Sequence, residues 1–451
     1  MFRALSLLAL LASTASANLL DEKAHLSFIK HPFENDETNG PVRTQVFPLN
    51  STHFLTVGGK GERYSARVWH GPTKSTELIQ DVPNAIRVHR VSDKYLGLLT
   101  DVKGKYGHPT AYLIDRETGK YISYYMYMAD GKMEGLAIHD SGLLAAHGPK
   151  KVHVVNMLSK NEEGEIDVSE DECMFYPESV GFLEDEDDVN VVFAGDNLYV
   201  YSVDDVSEPV FKQKFKLPGD MIKGPFEYKG EMAYIGAQQF NTGDDDEDDD
   251  MNNDGEPADE FDGELVKPGE DDEVNGFYSR IMAISAKEGF KIKEQHLFLK
   301  DGIKQFKVLD DVMIGIADQG GDAVFADRKT KTVTWQAEDA FKNVKEIDLQ
   351  DSSDMKAAES GETSVMSIWK DHVLQYTTQE ELEFYNLHNK KFTHVVKLPS
   401  FGGSMRTMIP FGSSILIGTE NEDGEAEPQF AMLKFGQGLK KKDKKDRFAP
   451  Y

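Results

Sequence analysis

The chain has 451 residues, 39% of them hydrophobic, so it is long enough to bury a large core. Its formal net charge of −29 at pH 7 excludes a nucleic-acid partner, because phosphate binding needs a basic surface. Cys173 is the only cysteine, which excludes an intramolecular disulfide.

Residues 1–17 have the three parts of a secretory signal peptide. Arg3 supplies a positive charge, Ala4–Ala12 is an apolar run too short to span a bilayer, and Ala15-Ser16-Ala17 is a small-residue cleavage site. No later segment approaches the roughly 18 apolar residues that a membrane span needs. We therefore expect a soluble monomer, without a membrane span, in the secretory pathway or outside the cell.

Asn50-Ser51-Thr52 matches the acceptor pattern for N-glycosylation. In a secreted chain this pattern predicts a glycan on Asn50, as a surface modification rather than a functional site.

The stretch Lys132–Asn156 contains the unit that much of the chain repeats. It predicts three short strands, at Met133–Ile138, at Leu143–Ala146 and at residues 152–155. The strands are apolar or β-branched and are separated by turns rich in Gly, Pro, Asp and Ser. This pattern is typical of consecutive antiparallel hairpins.

The unit recurs about every 40 to 50 residues, which is the period of a β-propeller blade. Each copy has a position followed by apolar residues two and four places later, on one face of a strand. These positions are Thr44, Asn84, Glu134, Glu178, Gly224, Lys304, Ser364 and Thr407. The sequence predicts an all-β fold, with residues 18–438 forming a single propeller of eight blades with four antiparallel strands each. Seven blades is the alternative, because the unit at Thr44 is poorly formed.

The last unit stops after its third strand, Gln429–Phe435, and Ala24–Lys30 is a strand without an assigned partner. We expect the N-terminal strand to complete the last blade and close the ring, which would remove exposed sheet edges.

Two long insertions and a tail interrupt the repeats. Ala337–Glu362 contains a polar, charged linker with room for one helical turn. Residues 242–275 form an acidic loop with seventeen acidic residues and one lysine, which is too polar to fold alone. Residues 439–451 form a basic tail, and we expect it to be flexible, with solvated charges.

Within the acidic loop, Asp250, Asn252 and Asp254 place oxygen ligands at alternate positions before Gly255. This resembles the start of an EF-hand or thrombospondin-type calcium loop, which implies calcium as ligand. The pattern then departs from an EF-hand, because Phe261 stands where the bidentate glutamate belongs. A flexible acidic spacer is the alternative.

The inner-strand openings Met133–Ala137 and Pro177–Val180 resemble those of gluconolactonase- and paraoxonase-type propellers. That resemblance implies that Asn84, Glu134 and Glu178, from three consecutive blades, hold a calcium ion in the central channel. Calcium prefers several oxygen ligands, and it would relieve the repulsion between two neighbouring carboxylates. Polar side chains solvated at the mouth of the channel are the alternative.

Leu113–Lys120 resembles a blade turn of quinoprotein-like propellers, where the turn is structural. We find no adjacent cysteine pair, no glycine-rich phosphate loop and no G-x-S-x-G turn, so no quinone or nucleotide cofactor is expected. His139 and His147 follow Glu134 in the same unit, and either could act as a base.

The leading functional hypothesis is a binding or scaffold protein that engages a protein or a glycan through one propeller face beside the acidic loop. It depends on the lack of a convincing catalytic arrangement in the sequence. The alternative is a calcium-dependent hydrolase or lactonase with the ion in the channel. A third hypothesis is a cation-binding matrix protein that depends on the acidic loop.

Overall fold

The structure is a computed structural model. It describes residues 23–34, 39–82, 85–100, 108–127, 133, 135–148, 151–159, 162–168, 180–185, 188–194, 198–215, 220–229, 232–240, 277–285, 291–298, 303–309, 312–317, 323–329, 333–335, 345–350, 365–376, 381–387, 391–399, 407–421 and 427–435. Every regular element within these ranges is a β-strand. The same ranges contain no helix that is long and apolar enough to cross a membrane.

The chain divides into two compact units, residues 1–80 with 338–451 and residues 81–337. The strands of the first unit are β1 (Lys23–Lys30), β2 (Val42–Pro48), β3 (His53–Lys60), β4 (Arg63–His70), β5 (Ser75–Val82), β26 (Lys345–Glu346), β27 (Asp348–Gln350), β28 (Val365–Trp369), β29 (His372–Tyr376), β30 (Glu381–Asn386), β31 (Lys391–Lys397), β32 (Met408–Phe411), β33 (Ser414–Asn421) and β34 (Gln429–Phe435).

The strands of the second unit are β6 (Ile86–Val91), β7 (Tyr95–Thr100), β8 (Thr110–Asp115), β9 (Tyr121–Met126), β10 (Gly135–Ile138), β11 (Leu143–His147), β12 (Lys151–Asn156), β13 (Glu163–Asp167), β14 (Val180–Asp185), β15 (Asp188–Ala194), β16 (Leu198–Ser202), β17 (Val210–Phe215), β18 (Asp220–Lys229), β19 (Met232–Phe240), β20 (Phe277–Ser285), β21 (Lys291–Phe298), β22 (Ile303–Val308), β23 (Val312–Ala317), β24 (Ala323–Asp327) and β25 (Val333–Trp335).

In the part of the second unit that the structure describes there are five antiparallel sheets, each made of four strands that follow one another along the chain. The repeated stretch chosen from the sequence forms β10–β13, with Leu136 opposite Ala146 and Leu144 opposite Val155. Gly142, at φ +87°, occupies the β10–β11 turn, where the left-handed backbone favours glycine. The hairpin pattern that we inferred from the sequence is therefore confirmed here.

The core of this unit lies between neighbouring sheets. Leu99 and Leu113, from the sheet β6–β9, belong to one buried cluster with Leu136, Leu144 and Val155 from the sheet β10–β13. A second cluster joins the sheets β10–β13 and β14–β17. These three sheets therefore bury apolar side chains against one another in succession, which is the packing expected of blades.

The first unit contains a nine-stranded sheet and a five-stranded sheet. The nine-stranded sheet is two four-stranded sets, β2–β5 and β32-β33-β34-β1, together with the short strand β27. The set β28–β31 and the strand β26 make up the other sheet. Within the described ranges, the two units together hold eight four-stranded sets. The set that begins at Thr44 is well formed, with Val46, Phe54 and Trp69 in its core.

The N-terminal strand completes the last set of strands. β1 pairs antiparallel with β34, from Ala24 opposite Phe435 to Lys30 opposite Gln429. The pairing that we predicted for Ala24–Lys30 is therefore present, and closure of a ring by it stays a prediction.

His31 fixes the end of this N-terminal strand. Its backbone N–H donates to Pro428 O at 2.7 Å, and its ring nitrogens lie 2.8 Å from Thr56 Oγ1 and 3.0 Å from Ser65 Oγ. A Cβ on Gly58 would lie 2.6 Å from the ring, so glycine is needed beneath it. The histidine is buried and fully engaged at both ring nitrogens.

One short ladder joins the two sets of the nine-stranded sheet. β33 pairs with β32 and β34 through its first half, and its last three residues pair with β2. In that ladder Arg43 stands opposite Glu420, and Arg43 Nε forms an ion pair with Glu420 Oε1. The carboxylate side chain is 1% exposed, so this ion pair is nearly withdrawn from water.

Part of the predicted charged linker is ordered as strand. β26 runs parallel to β31, and β27 runs parallel to β1. Between them Ile347 is buried, and its N–H donates to Val395 O at 2.8 Å. Ile347 explains the difference, because it packs into the core cluster of the unit. The predicted helical turn is not found in residues 345–350, and the rest of Ala337–Glu362 lies outside the described residues.

Candidate binding site

Most of the sites predicted from the sequence lie outside the described residues. This holds for the proposed channel ligands Asn84, Glu134 and Glu178 and for the acidic-loop residues Asp250, Asn252 and Asp254. Among the described residues, no group of three His, Cys, Asp or Glu side chains is placed to hold a metal ion. The calcium hypotheses therefore stay predictions.

Asn50 lies in the connection between β2 and β3. Its Oδ1 accepts hydrogen bonds from Thr52 N at 2.8 Å, Thr52 Oγ1 at 2.9 Å and His53 N at 2.9 Å. These bonds form an Asx-type turn in which Ser51 and Thr52 are exposed. The acceptor sequence thus lies in a surface turn, and glycosylation of Asn50 stays a prediction.

The structure adds a feature that the motif analysis missed, a groove of about 450 Å³ beside the strand β9. It is lined by Tyr121 and Ser123–Met126 of β9, and by Val155–Met157 at the end of β12 and in the following turn. Ser123 Oγ donates to Met157 O at 2.7 Å, which joins the two walls. Both walls belong to the second unit, and we call this feature the tyrosine groove.

Four tyrosines crowd this strand because its sequence, with the next residue, is YISYYMY. Tyr124 is 58% exposed, an unusual exposure for so large a ring, and it lies 6.4 Å from Tyr112. Tyr127 is fully buried, and its ring lies 4.9 Å from that of Tyr125. Tyr121, Tyr124 and Tyr125 therefore belong to the groove lining, whereas Tyr127 supports Tyr125 from the buried core.

Carboxylates from the neighbouring sheet close one wall of the groove. Tyr125 OH donates to Glu163 Oε2 at 2.6 Å, and Asn156 Nδ2 donates to Glu162 Oε2 at 2.8 Å. Burial and the hydrogen bond to Glu163 raise the pKa of Tyr125 above its ordinary value. Burial, assisted by Tyr124, raises the pKa of Tyr121 to about 12. The phenols of Tyr121 and Tyr125 are therefore uncharged at neutral pH, and among the residues just described the formal charges at this wall are those of the Glu162 and Glu163 carboxylates.

Such a surface suits cationic and aliphatic groups. Aromatic faces attract ammonium and guanidinium groups within about 6 Å, with about 0.5–2 kcal/mol per contact. The exposed ring of Tyr124 and the half-buried thioether of Met126 offer apolar contact to aliphatic side chains. The sequence signal that could have revealed the groove is the density of tyrosine on one outermost strand, where we predicted only a fourth strand of a blade.

His139 is held between two side chains at the β10–β11 turn. Its Nδ1 lies 2.9 Å from Ser141 Oγ, and its Nε2 lies 2.7 Å from Glu184 Oε1. The order carboxylate, imidazole, hydroxyl resembles a nucleophilic triad. However, the Ser141 backbone N–H also bonds Nδ1, at 3.3 Å, and the Glu184 side chain is 67% exposed. The arrangement is therefore explained by a local turn and a solvent-exposed hydrogen bond between His139 and Glu184, and it supports no acyl-transfer chemistry.

Comparison with known proteins defines the class of fold. No protein-family model and no curated protein sequence matches the chain. Among solved structures, the Dos1 propeller matches 91% of this chain and 96% of its own, at TM-score 0.52 and 12% identity. The C-terminal WD40 domain of Sif2 matches 91% of this chain and 100% of its own, at TM-score 0.51 and 11% identity.

BamB from Moraxella catarrhalis matches 92% of this chain and 99% of its own, at TM-score 0.50 and 10% identity. At such low identity these likenesses show the fold alone. The chain is a β-propeller, as the repeat period predicted, and this fold is compatible with a protein-binding scaffold. The resemblance to quinoprotein-like and gluconolactonase-type propellers stays a prediction.

Proposed function

We propose that this propeller is a binding module that engages basic segments of other proteins in the secretory pathway or outside the cell. The observation that supports it most is the tyrosine groove, with its uncharged phenols and its wall of carboxylates. The net charge of −29 favours the same kind of ligand, since it attracts cationic partners over long range. Proteins are favoured over glycans because the formal charges at the groove wall are negative.

The acidic loop at residues 242–275 has a second, weaker role in this proposal, because its negative charge would attract the same basic segments. It lies outside the described residues, so its part depends on its charge alone. Its attraction is screened over about 8 Å at physiological salt, whereas contacts inside a groove are screened less. We therefore assign specificity to the groove, and to the loop a contribution to the rate of encounter.

We expect the purified protein to select peptides from a displayed random library and to leave a glycan array near background. The selected peptides should carry Lys or Arg beside aliphatic residues, because these groups match the groove. Replacement Tyr124→Ala should weaken them by about tenfold, which corresponds to about 1.4 kcal/mol. Binding is measured by biolayer interferometry on individual synthetic peptides.

The matched control is Val210→Ala. Val210 is 58% exposed on the outermost strand β17, away from the groove lining, so its truncation should leave peptide binding unchanged. If neither the library nor the array gives enrichment over background, the binding-module proposal is wrong.

We also propose calcium as an associated ion, held by Asn84, Glu134 and Glu178. Calorimetric titration of the wild type should then show saturable calcium binding that is lost in the double variant Glu134→Gln/Glu178→Gln. A variant lacking residues 242–275 should retain it, and so should Glu117→Gln, which changes an exposed carboxylate in the β8–β9 turn. Retained binding in the double variant, with loss in the deletion, would place the ion in the acidic loop instead.

A further inference from the structure

The chain itself shows that the outermost strands of its sheets can accept an additional strand. In the first unit, Lys345 and Glu346 pair parallel with His394 and Val395 of β31. Three residues farther on, β27 pairs parallel with β1. One extended segment of six residues thus adds to two outermost strands in succession, and the buried side chain of Ile347 anchors it. Addition of this kind is a known mode of peptide recognition, in which main-chain hydrogen bonds supply affinity.

The strand β9 is an outermost strand whose second edge has no partner strand among the described residues. Across the β8–β9 ladder, Tyr127 N donates to Pro109 O at 2.9 Å. Because hydrogen-bonded and non-hydrogen-bonded pairs alternate in an antiparallel ladder, Ser123 and Tyr125 direct their backbone groups toward β8. The N–H and C=O groups of Tyr124 and Met126 therefore face the second edge.

The sequence of β9 also lacks the usual protection of a free edge. Natural sheets guard such edges with charged residues or proline, which discourage pairing with another chain. The outermost strands β5, β13, β17 and β21 each carry at least two charged residues. β9 has the sequence YISYYM, with neither a charge nor a proline over six residues. An unguarded strand of high β propensity is the expected template for strand addition.

The tyrosine groove runs beside this edge, so an added strand would place side chains in it. In an extended peptide, alternate side chains point to the same face. One set would lie over Tyr124 and Met126, and the other set, on the face of Tyr125, would bring cationic groups toward Glu162 and Glu163. Backbone pairing and side-chain selection are therefore available at the same place.

We propose that β9 binds an extended basic segment of a partner protein as an added strand, in the way that residues 345–350 add to β31 and β1. This inference rests on the proposed function, since it specifies how the groove binds its ligand. It differs from binding in the groove alone, because the outward N–H groups of Tyr124 and Met126 become part of the site.

The test uses a fluorescein-labelled peptide of sequence GKVKIKVKG, in which basic and β-branched residues alternate, and fluorescence anisotropy at physiological salt. We expect the full-length wild type to bind it. Tyr124→Pro and Met126→Pro, which remove the outward N–H groups, should each weaken binding about tenfold or more. Tyr124→Phe keeps the ring and the N–H, and it should bind within about threefold of the wild type.

Proline is tolerated on an edge strand where its missing N–H faces solvent, so both proline variants should fold, as circular dichroism will verify. The backbone contribution is also tested without changing the protein. Two versions of the peptide carry N-methyl groups on alternate residues, in one frame or in the other, and only one frame should lose binding. Amide hydrogen exchange at Tyr124 and Met126 should slow when peptide is added, whereas exchange at Tyr125, already bonded to β8, should not change.

Three results would overturn the strand-addition mechanism. If both proline variants bind like the wild type while Tyr124→Ala does not, the groove binds by side chains alone, and only the proposed function stands. If the wild type sediments as a dimer that Tyr124→Pro converts to a monomer, the edge belongs to a second copy of this chain. If the wild type fails to bind the peptide at about 1 mM, strand addition is wrong, whereas an empty random library is what would reject the proposed function.

Discussion

Acidification from pH 6.5 to about 4 is expected to lower the free energy of unfolding by about 3 kcal/mol for each of two buried histidines, His31 and His147. His31 is 2% exposed and His147 is 0% exposed. Burial, followed by the positive charge of Arg67, lowers the pKa of His31 to about 3, and the hydrogen bond to Ser65 opposes the shift. Burial lowers the pKa of His147 to about 4.

The sign follows from proton binding. Below pH 6.5 the unfolded chain takes up a proton on each of these histidines, whereas the folded protein does so only near the lowered pKa. Their contribution to stability is therefore complete above pH 6.5 and is lost as the pH falls toward 4 or 3. Within this window each histidine adds a slope of about 1.4 kcal/mol per pH unit.

Urea unfolding curves at a series of pH values, followed by tryptophan fluorescence, measure this dependence. His31→Gln and His147→Gln should each reduce the dependence of the unfolding free energy on pH by the equivalent of about one bound proton. This holds even where the variants lower stability at neutral pH. His70→Gln is the matched control, because it makes the same replacement at an exposed histidine. An unchanged slope in both buried-site variants would show that other groups control acid stability.

Removal of Arg43 is expected to cost about 3–5 kcal/mol of stability, because it leaves the Glu420 carboxylate buried without its cation. Glu420 is 1% exposed at the side chain, so its carboxylate lies almost entirely out of water. The reverse change, Glu420→Gln, should cost about 1–2 kcal/mol, since the Arg43 side chain is 28% exposed and can be partly solvated. The two partners of one ion pair are therefore not equivalent.

Equilibrium urea unfolding of Arg43→Met, Glu420→Gln and the double variant Arg43→Met/Glu420→Met tests this asymmetry. We expect the double variant to be more stable than Arg43→Met alone, because replacing both residues leaves no charge buried without a partner. Lys151→Met is the control, since it breaks an ion pair with Glu165 whose partners are 41% and 50% exposed, and such pairs contribute little. If both single variants lose an equally small amount of unfolding free energy, the stability of the β2–β33 ladder does not depend on this ion pair.

Much of the fold is predictable because local signals dominate within each sheet. Leu143–Ala146 and its neighbours alternate with turn residues, so hairpins between consecutive strands follow from the sequence alone. The pairing of Ala24–Lys30 with Gln429–Phe435 could be predicted as well, since the last unit lacked a strand. The added strands at residues 345–350 could not be predicted, because charged residues flank the buried anchor Ile347 and the stretch therefore has the composition of a linker.

The candidate site was less accessible to sequence analysis. The sequence predicted oxygen ligands at Asn84, Glu134 and Glu178. The groove instead has aromatic side chains on an outermost strand. Tyrosine is common in strands for packing reasons, so its presence in β9 does not distinguish a core from a surface. The difference depends on exposure, 58% for Tyr124 against none for Tyr127, and this is fixed by contacts with the next sheet.

The pairing between β1 and β34 has a consequence for biosynthesis. Ser27 bonds to Met432, 405 positions later, so the first strand to leave the ribosome waits for almost the whole chain before it finds its neighbour. At 5–20 residues per second this delay is roughly 20–80 s. Residues 81–337 are contiguous and form their sheets from successive strands, so they can fold during that interval. In a nascent chain that stalls before β34, residues 81–337 can already be folded while the N-terminal strand still lacks its partner. An unpaired strand tends to pair with other chains, so we expect this intermediate to need a chaperone.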